Sequence, residues 1–226
     1  MQMRSVSRVR CACRFCIKIR LFFSYLYTQA CGTEIFYTAK GDHCMSQPFK
    51  TEVITRKLPI EQLKLYLSPE ETLAACEACP EYGKRWCCPP GVPDPYTYLS
   101  PYSEAFLIGV KVIYSEEIRA QSREMASLDQ LQDSLFHKVE HQVQCILLEL
   151  EHEFPHSVSI STCLMCRRCA RKDDLPCRYL NLMRYNLTAM GFRFTDLVKN
   201  EFGLELQWVD KGLPEYHLMV SALLIK

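Results

Sequence analysis

Residues 105–114 read AFLIGVKVIY, a stretch in which every residue except Gly109 and Lys111 is apolar. The stretch has the length of a strand and is rich in the β-branched residues valine and isoleucine. A short run that is apolar on both faces is typical of a strand covered on both sides of its sheet. We therefore predict a buried central strand over Ala105–Tyr114.

Before this strand the pattern predicts one further strand and two helices. Residues 51–55 are β-prone, and residues 60–67 show helical spacing of their apolar positions. A second helix is predicted to begin after Ser68, with Pro69 in its first turn and Glu71 placed to close a capping box. This helix leads directly into the first cysteine motif.

After the central strand, helices and strands continue to alternate. We predict a long helix at 123–153 and a strand at 158–160. Two shorter helices follow at 179–190 and 195–203, and two strands at 204–209 and 215–225. Gly191 and Gly203 end the two shorter helices, and Thr195 caps the second. The predicted fold is α/β or α+β, with a single mixed sheet, packed helices and two cysteine-rich metal-binding loops.

The composition fits a folded domain with an unusual demand for cysteine. The chain has 226 residues, of which 48% are hydrophobic and 23% charged, and 14 are cysteine. This mixture excludes an intrinsically disordered chain. Residues 45–226 hold 20 basic and 24 acidic residues, which argues against a nucleic-acid-binding protein. No apolar stretch is long enough for a stable membrane span.

The first 44 residues differ from the rest. They contain seven basic and two acidic residues and show no clear helix or strand period. We interpret 1–44 as a basic leader that is unstructured or not native, with translation beginning at Met45, and 45–226 as a single cysteine-rich metal-binding domain. A targeting segment and a folded segment are the alternatives for this leader.

The stronger cysteine motif lies in the second half of the chain. Cys163, Cys166 and Cys169 follow a C-x2-C-x2-C spacing, and Cys177 follows Cys169 after seven intervening residues. This spacing lets one loop direct three thiolates at a [4Fe–4S] cluster while a nearby cysteine supplies the fourth. The basic residues around it, which include Arg167, Arg168 and Arg178, favour an anionic site. A structural zinc site with four cysteine ligands is the alternative.

The other motif supplies fewer certain ligands. Cys76 and Cys79 form a C-x2-C pair, Cys88 precedes two prolines, and Trp86 is placed to shield a metal from water. Cys87 is adjacent to Cys88, so its side chain is expected to diverge, and only Cys88 is expected to bind. Three arrangements remain open: two separate clusters of which the first has an open iron, cysteines shared between the sites, or a first site completed by Cys87 or an oxygen ligand.

These motifs together resemble a known family, the predicted metal-binding proteins catalogued as domain of unknown function 2284. The resemblance covers about residues 50–226 and rests on Cys76, Cys79, Tyr82, Gly83, Trp86, Cys88, Pro89, Pro90, Cys163, Cys166, Cys169, Pro176, Cys177 and Arg178. It implies a small cytoplasmic protein that binds metal as an iron–sulfur cluster and has no established reaction. Cys87 departs from the family pattern, which places a small polar residue there.

The sequence therefore predicts one or two [4Fe–4S] clusters that serve electron transfer with a redox partner protein. One alternative is an enzyme with an open-coordination iron at Cys76, Cys79 and Cys88, where a small-molecule ligand can bind. The other alternative is a structural zinc-binding interaction module.

Overall fold

The computed structural model describes residues 48–124 and 128–226. The predicted leader, with its five cysteines, and the proposed start at Met45 lie outside the described residues. Among the described residues, no helix is both long and apolar enough to cross a membrane.

A four-stranded sheet forms the centre of the fold. Its strands are β1 (Phe49–Pro59), β2 (Glu104–Tyr114), β3 (Ser157–Ile160) and β4 (Tyr216–Ile225), in the spatial order β1-β2-β4-β3. The predicted central strand is confirmed, because β2 pairs with both β1 and β4. All three pairings are antiparallel, so the sheet is not the mixed one that the sequence predicted. The fold is α+β.

The two inner strands are apolar because both faces of the sheet are covered. Nearly every residue of β2 and β4 is buried. Gly109 of β2 shows how closely a neighbour approaches: a Cβ at this position would lie 3.0 Å from a ring carbon of Phe202. A larger residue would push this ring out of the core.

The helices are α1 (Ile60–Lys64), α2 (Pro69–Glu77), α3 (Pro95–Leu99), α4 (Glu116–Ser122), α5 (Leu128–Gln132), α6 (Lys138–Glu153) and α7 (Phe194–Leu197). A π-helical turn at Asp133–His137 joins α5 to α6, and another at Val198–Phe202 extends α7 to Gly203. The predicted long helix is thus present from Leu128 onward, while α4 is a separate helix. Ser115, which follows β2, is the N-cap of α4, and its Oγ accepts a hydrogen bond from the Ile118 amide.

Three local predictions are wrong. No regular helix covers 179–190, where only a 3-10 turn at Leu180–Leu182 forms. There the side chain of Asn186 accepts a hydrogen bond from the Ala189 amide, a local bond that competes with a helix. Residues 204–209 do not form a strand. Instead, the Gln207 side chain accepts from the Tyr216 amide, which takes the place of a backbone ladder.

The third error concerns helix caps. Helix α2 begins at Pro69 as predicted, but the Ser68 side chain makes no capping hydrogen bond. The Thr72 hydroxyl donates to the Ser68 carbonyl instead. Similarly, α7 begins at Phe194, so Thr195 lies inside the helix rather than at its cap. Gly203 ends this helix with a φ of 65°, as expected for a left-handed C-terminal position.

Candidate metal centre

The second cysteine loop, residues 163–178, follows directly from the end of β3. Its cysteines, Cys163, Cys166, Cys169 and Cys177, all line one cavity of about 290 Å³. Since a cavity needs only about 10–15 Å³ to hold one water molecule, this space exceeds what a single ion requires. The donor set and the volume together fit a group of several atoms bound by four thiolates.

Basic side chains dominate the polar lining of this cavity. Among the described residues that line it, none is acidic, and five are basic: Arg85, Arg167, Arg168, Lys172 and Arg178. Part of this charge is balanced from outside the cavity, since Arg168 forms an ion pair with Asp173 at 2.5 Å. The lining therefore favours an anionic group, and the three arginines predicted to surround the site are among these residues.

The first cysteine loop, residues 76–91, begins in the last turn of α2. A hydrogen bond from the Gly83 amide to the Pro89 carbonyl at 2.9 Å joins the middle of the loop to its C-terminal part. Gly83 has a φ of 69°, a conformation that favours glycine. Burial raises the pKa of Cys76, and the neighbouring Cys88 and Cys79 raise it further.

Cys87 turns toward the second cysteine loop. Its side chain is only 4% exposed and lines the 290 Å³ cavity together with the four cysteines of that loop. Its sulfur lies 4.0 Å from that of Cys88, and the Cys163 thiol is near enough to raise the pKa of Cys87. Cys88, Cys87 and Cys163 thus form a chain of thiols that joins the two cysteine loops.

The thiol chain shifts the ionisation of its members in opposite directions. Hydrogen bonding to Cys163 and Cys88, and then burial, raise the pKa of Cys87. The hydrogen bond from Cys87 lowers the pKa of Cys163 to about 5 and that of Cys88 to about 7. The protonated form is therefore favoured at Cys87, and the thiolate form is favoured at Cys163 and Cys88.

Arg171 fastens the two loops to each other. Its guanidinium donates to the carbonyls of Arg85 at 2.9 Å, Cys88 at 3.0 Å and Pro90 at 2.5 Å. It also lies over the ring of Trp86, 4.8 Å from its centroid. Local sequence indicates only that this loop is basic, because contacts between residues about 80 positions apart leave no local pattern.

Two further contacts strengthen this attachment. The Trp86 indole donates to the Leu175 carbonyl at 3.0 Å, so Trp86 joins the loops as well as lining the cavity. Lys172 forms an ion pair with Glu81 at 3.1 Å, and Glu81 also pairs with Arg85. The two loops are therefore attached to each other and form one structural unit.

Gln144 of α6 supports the second loop from beneath. It is 1% exposed, and its Oε1 accepts a hydrogen bond from the Leu164 amide at 2.7 Å. Its side chain also helps to lower the pKa of Cys163. A glutamine on the apolar face of a predicted helix was the signal that could have identified it.

The arrangement of the described side chains does not form a compact site for a single ion. Among the described residues, no three histidine, cysteine or acidic side chains converge closely enough to bind a single metal ion. The thiols of the second loop instead face a common cavity.

The fold and the site define a class: a cysteine-rich α+β domain in which two thiol loops form one unit. Residues 60–225 match the model of a family described as predicted metal-binding protein (DUF2284), and the chain belongs to this family, as its motifs predicted. No curated protein matches the chain significantly, and no solved structure does.

Proposed function

We propose that this metal-binding protein holds a [4Fe–4S] cluster in the cavity of the second cysteine loop and exchanges single electrons with a partner protein. The observation that carries the proposal is the cavity of about 290 Å³ lined by Cys163, Cys166, Cys169 and Cys177. A bound cluster would supply one-electron chemistry, with a potential set by hydrogen bonds and nearby charge.

The residues of the chain have clear tasks in this proposal. The four thiolates would hold the cluster, and the basic lining would offset its negative charge. Trp86 and Met183, which also line the cavity, would limit the access of water. Arg168 leaves 62% of its side chain exposed, so the loop offers a basic surface to an acidic patch on a redox partner. Reduced thiols are required throughout, which is why we expect a cytoplasmic location.

Metal and sulfide analysis after anaerobic purification tests this proposal. We expect a brown protein with equal amounts of iron and sulfide, about four of each per cluster. Electron paramagnetic resonance should show a signal after one-electron reduction. A colourless protein with one zinc per chain and no sulfide would contradict the proposal and support the structural zinc module instead.

The first cysteine loop favours a second candidate function. Because Cys87 faces the other cavity, Cys76, Cys79 and Cys88 leave one coordination position to be filled from elsewhere. Metal sites with three protein ligands commonly bind water or substrate at the open position. We therefore propose this loop as a second metal site at which a small-molecule ligand can bind.

Replacement of Cys88 separates the two sites. Cys88→Ser should remove the iron of the first loop and leave that of the second loop in place. A small thiol added to the oxidised wild-type protein should change the visible spectrum, and this change should be absent in Cys88→Ser. An unchanged wild-type spectrum would exclude an open iron in the first loop, and electron transfer would then be the only proposed function that remains.

A further inference from the structure

A second and larger cavity adjoins the cysteine cavity. It has a volume of about 410 Å³, and Ser161 and Thr162 line it, while the next residue, Cys163, lines the cysteine cavity. Its volume lies in the range of small-molecule sites. We call it the amide cavity, because Asn186 and Gln207 also line it.

Two of the four amide side chains in the lining, Asn186 and Gln207, are oriented by the backbone. The Asn186 Oδ1 accepts from the Ala189 amide at 2.6 Å, and the Gln207 Oε1 accepts from the Tyr216 amide at 3.2 Å. With each oxygen bound to a backbone N–H, the opposite end of each amide must be the NH₂ donor. The cavity therefore has two hydrogen-bond donors fixed in its wall.

Ser161 adds an unsatisfied polar group. The residue is 3% exposed, and its hydroxyl has no hydrogen-bond partner in the described part of the chain. A buried hydroxyl without a partner costs stability, which a ligand can recover by accepting its hydrogen bond. Such a group points to a ligand with acceptor oxygens.

The charge of the lining restricts the ligand further. Among the described residues that line the cavity, Glu140 is the only acidic one, and none is a lysine or an arginine. The Glu140 carboxylate lies 2.5 Å from the His137 ring. Burial lowers the pKa of His217, another lining residue, and so favours its neutral form. With no cationic side chain in this wall, the cavity is unsuited to phosphates and other strong anions.

Aromatic side chains supply the apolar part. Phe136, Phe194 and Trp208 line the cavity, and Trp208 leaves 76% of its surface exposed. A large exposed aromatic residue beside a cavity is typical of a ligand-binding surface. A flat ring would cover this surface while its oxygens face the donors.

From these observations we propose that the amide cavity binds a small, uncharged ring compound that carries carbonyl oxygens. The proposal concerns binding alone and does not depend on the metal. It goes beyond the cluster-binding function, because none of the proposed metal ligands lines this cavity.

Three matched probes test the proposal on the purified full-length protein by ligand-observed nuclear magnetic resonance. They are 2-naphthamide, 2-methylnaphthalene and 2-naphthylmethylammonium, which share a ring and differ in their acceptor oxygen and charge. We expect 2-naphthamide to bind about tenfold more tightly than either of the others, since matched and unmatched buried hydrogen bonds differ by about this factor. Equal binding of all three, or preference for the cation, would overturn the proposal.

Substitutions locate the binding. Ser161→Ala and Gln207→Leu should each weaken 2-naphthamide binding by roughly threefold to tenfold. Gln121→Leu, at an exposed position on α4, is the matched control and should leave the affinity unchanged. Circular dichroism and metal content should equal those of the wild type in all three variants. Wild-type affinity in both Ser161→Ala and Gln207→Leu would show that the probe binds elsewhere.

Discussion

The sheet and the two cysteine loops are stabilised by different interactions. The inner strands β2 and β4 bury almost every side chain, so their stability comes from removing apolar surface from water. The loops contain few buried apolar residues, and polar contacts such as those of Arg171 join them. We therefore expect the sheet to fold without a metal and the shape of the loops to depend on polar contacts and on what the thiols bind.

The largest expected effect separates metal binding from folding. Cys166→Ser removes one thiol from the cavity of the second loop. If this cavity holds the proposed cluster, we expect nearly complete loss of its iron, because a serine hydroxyl is a poor ligand for this metal. The far-UV circular dichroism spectrum should remain that of the wild type, since the sheet does not depend on this loop.

Cys145→Ser on α6 is the control for this variant, because Cys145 does not line the cysteine cavity. It should retain the wild-type amount of iron. A Cys166→Ser protein with full iron and sulfide content would show that the second loop is not the metal site.

The second prediction concerns a substitution in the sheet rather than in a cysteine loop. Leu107 lies in β2 with no exposed surface, so Leu107→Ala should lower the free energy of unfolding by about 2–5 kcal/mol. Chemical denaturation measures this loss, and the iron content of the protein that remains folded should not change. Leu65→Ala is the matched control, because Leu65 is 73% exposed. A large loss of iron in folded Leu107→Ala would mean that the loops depend on the sheet more closely than proposed.

The same difference explains what the sequence could predict. Apolar stretches such as residues 105–114 identify buried strands because local composition reflects burial. The cysteine spacing likewise identified the residues that meet around the cavity of the second loop. The direction of Cys87 and the contacts of Arg171 depend on residues about 80 positions away, so no local pattern predicts them. The strand predicted at 204–209 failed for a related reason: the Gln207 side chain occupies the Tyr216 amide.

An intermediate effect is expected where the two loops are fastened. Arg171→Lys keeps the positive charge but loses the planar group that reaches three carbonyls. We expect the holoprotein to lose roughly 2 kcal/mol of stability, the usual contribution of hydrogen bonds to a charged group, and to release iron faster to a chelator. Lys199→Gln, which removes an exposed charge outside both cysteine loops, should change neither the stability nor the rate of iron release. An unchanged release rate in Arg171→Lys would show that the loops hold the metal independently of each other.

The smallest expected effect lies at Gln144, where the helical layer meets the second loop. Gln144→Leu removes the acceptor of the Leu164 amide and a contact with Cys163 at nearly constant volume. Hydrogen bonds to the sulfur ligands raise the reduction potential of a cluster, since they stabilise the more negative, reduced state. Gln144 helps to lower the pKa of Cys163 and so favours negative charge on this sulfur. Loss of this stabilisation, on the order of 1 kcal/mol, should lower the one-electron potential by about 40 mV. Redox titration measures this shift, with iron content as a check that the cluster is intact. Gln142→Leu, two residues earlier on the same helix at a position that does not line the cysteine cavity, should keep the wild-type potential. If both variants have this potential and bind iron fully, Gln144 supports only the backbone of the loop, and the sheet and its helices do not influence the electronic properties of the metal centre.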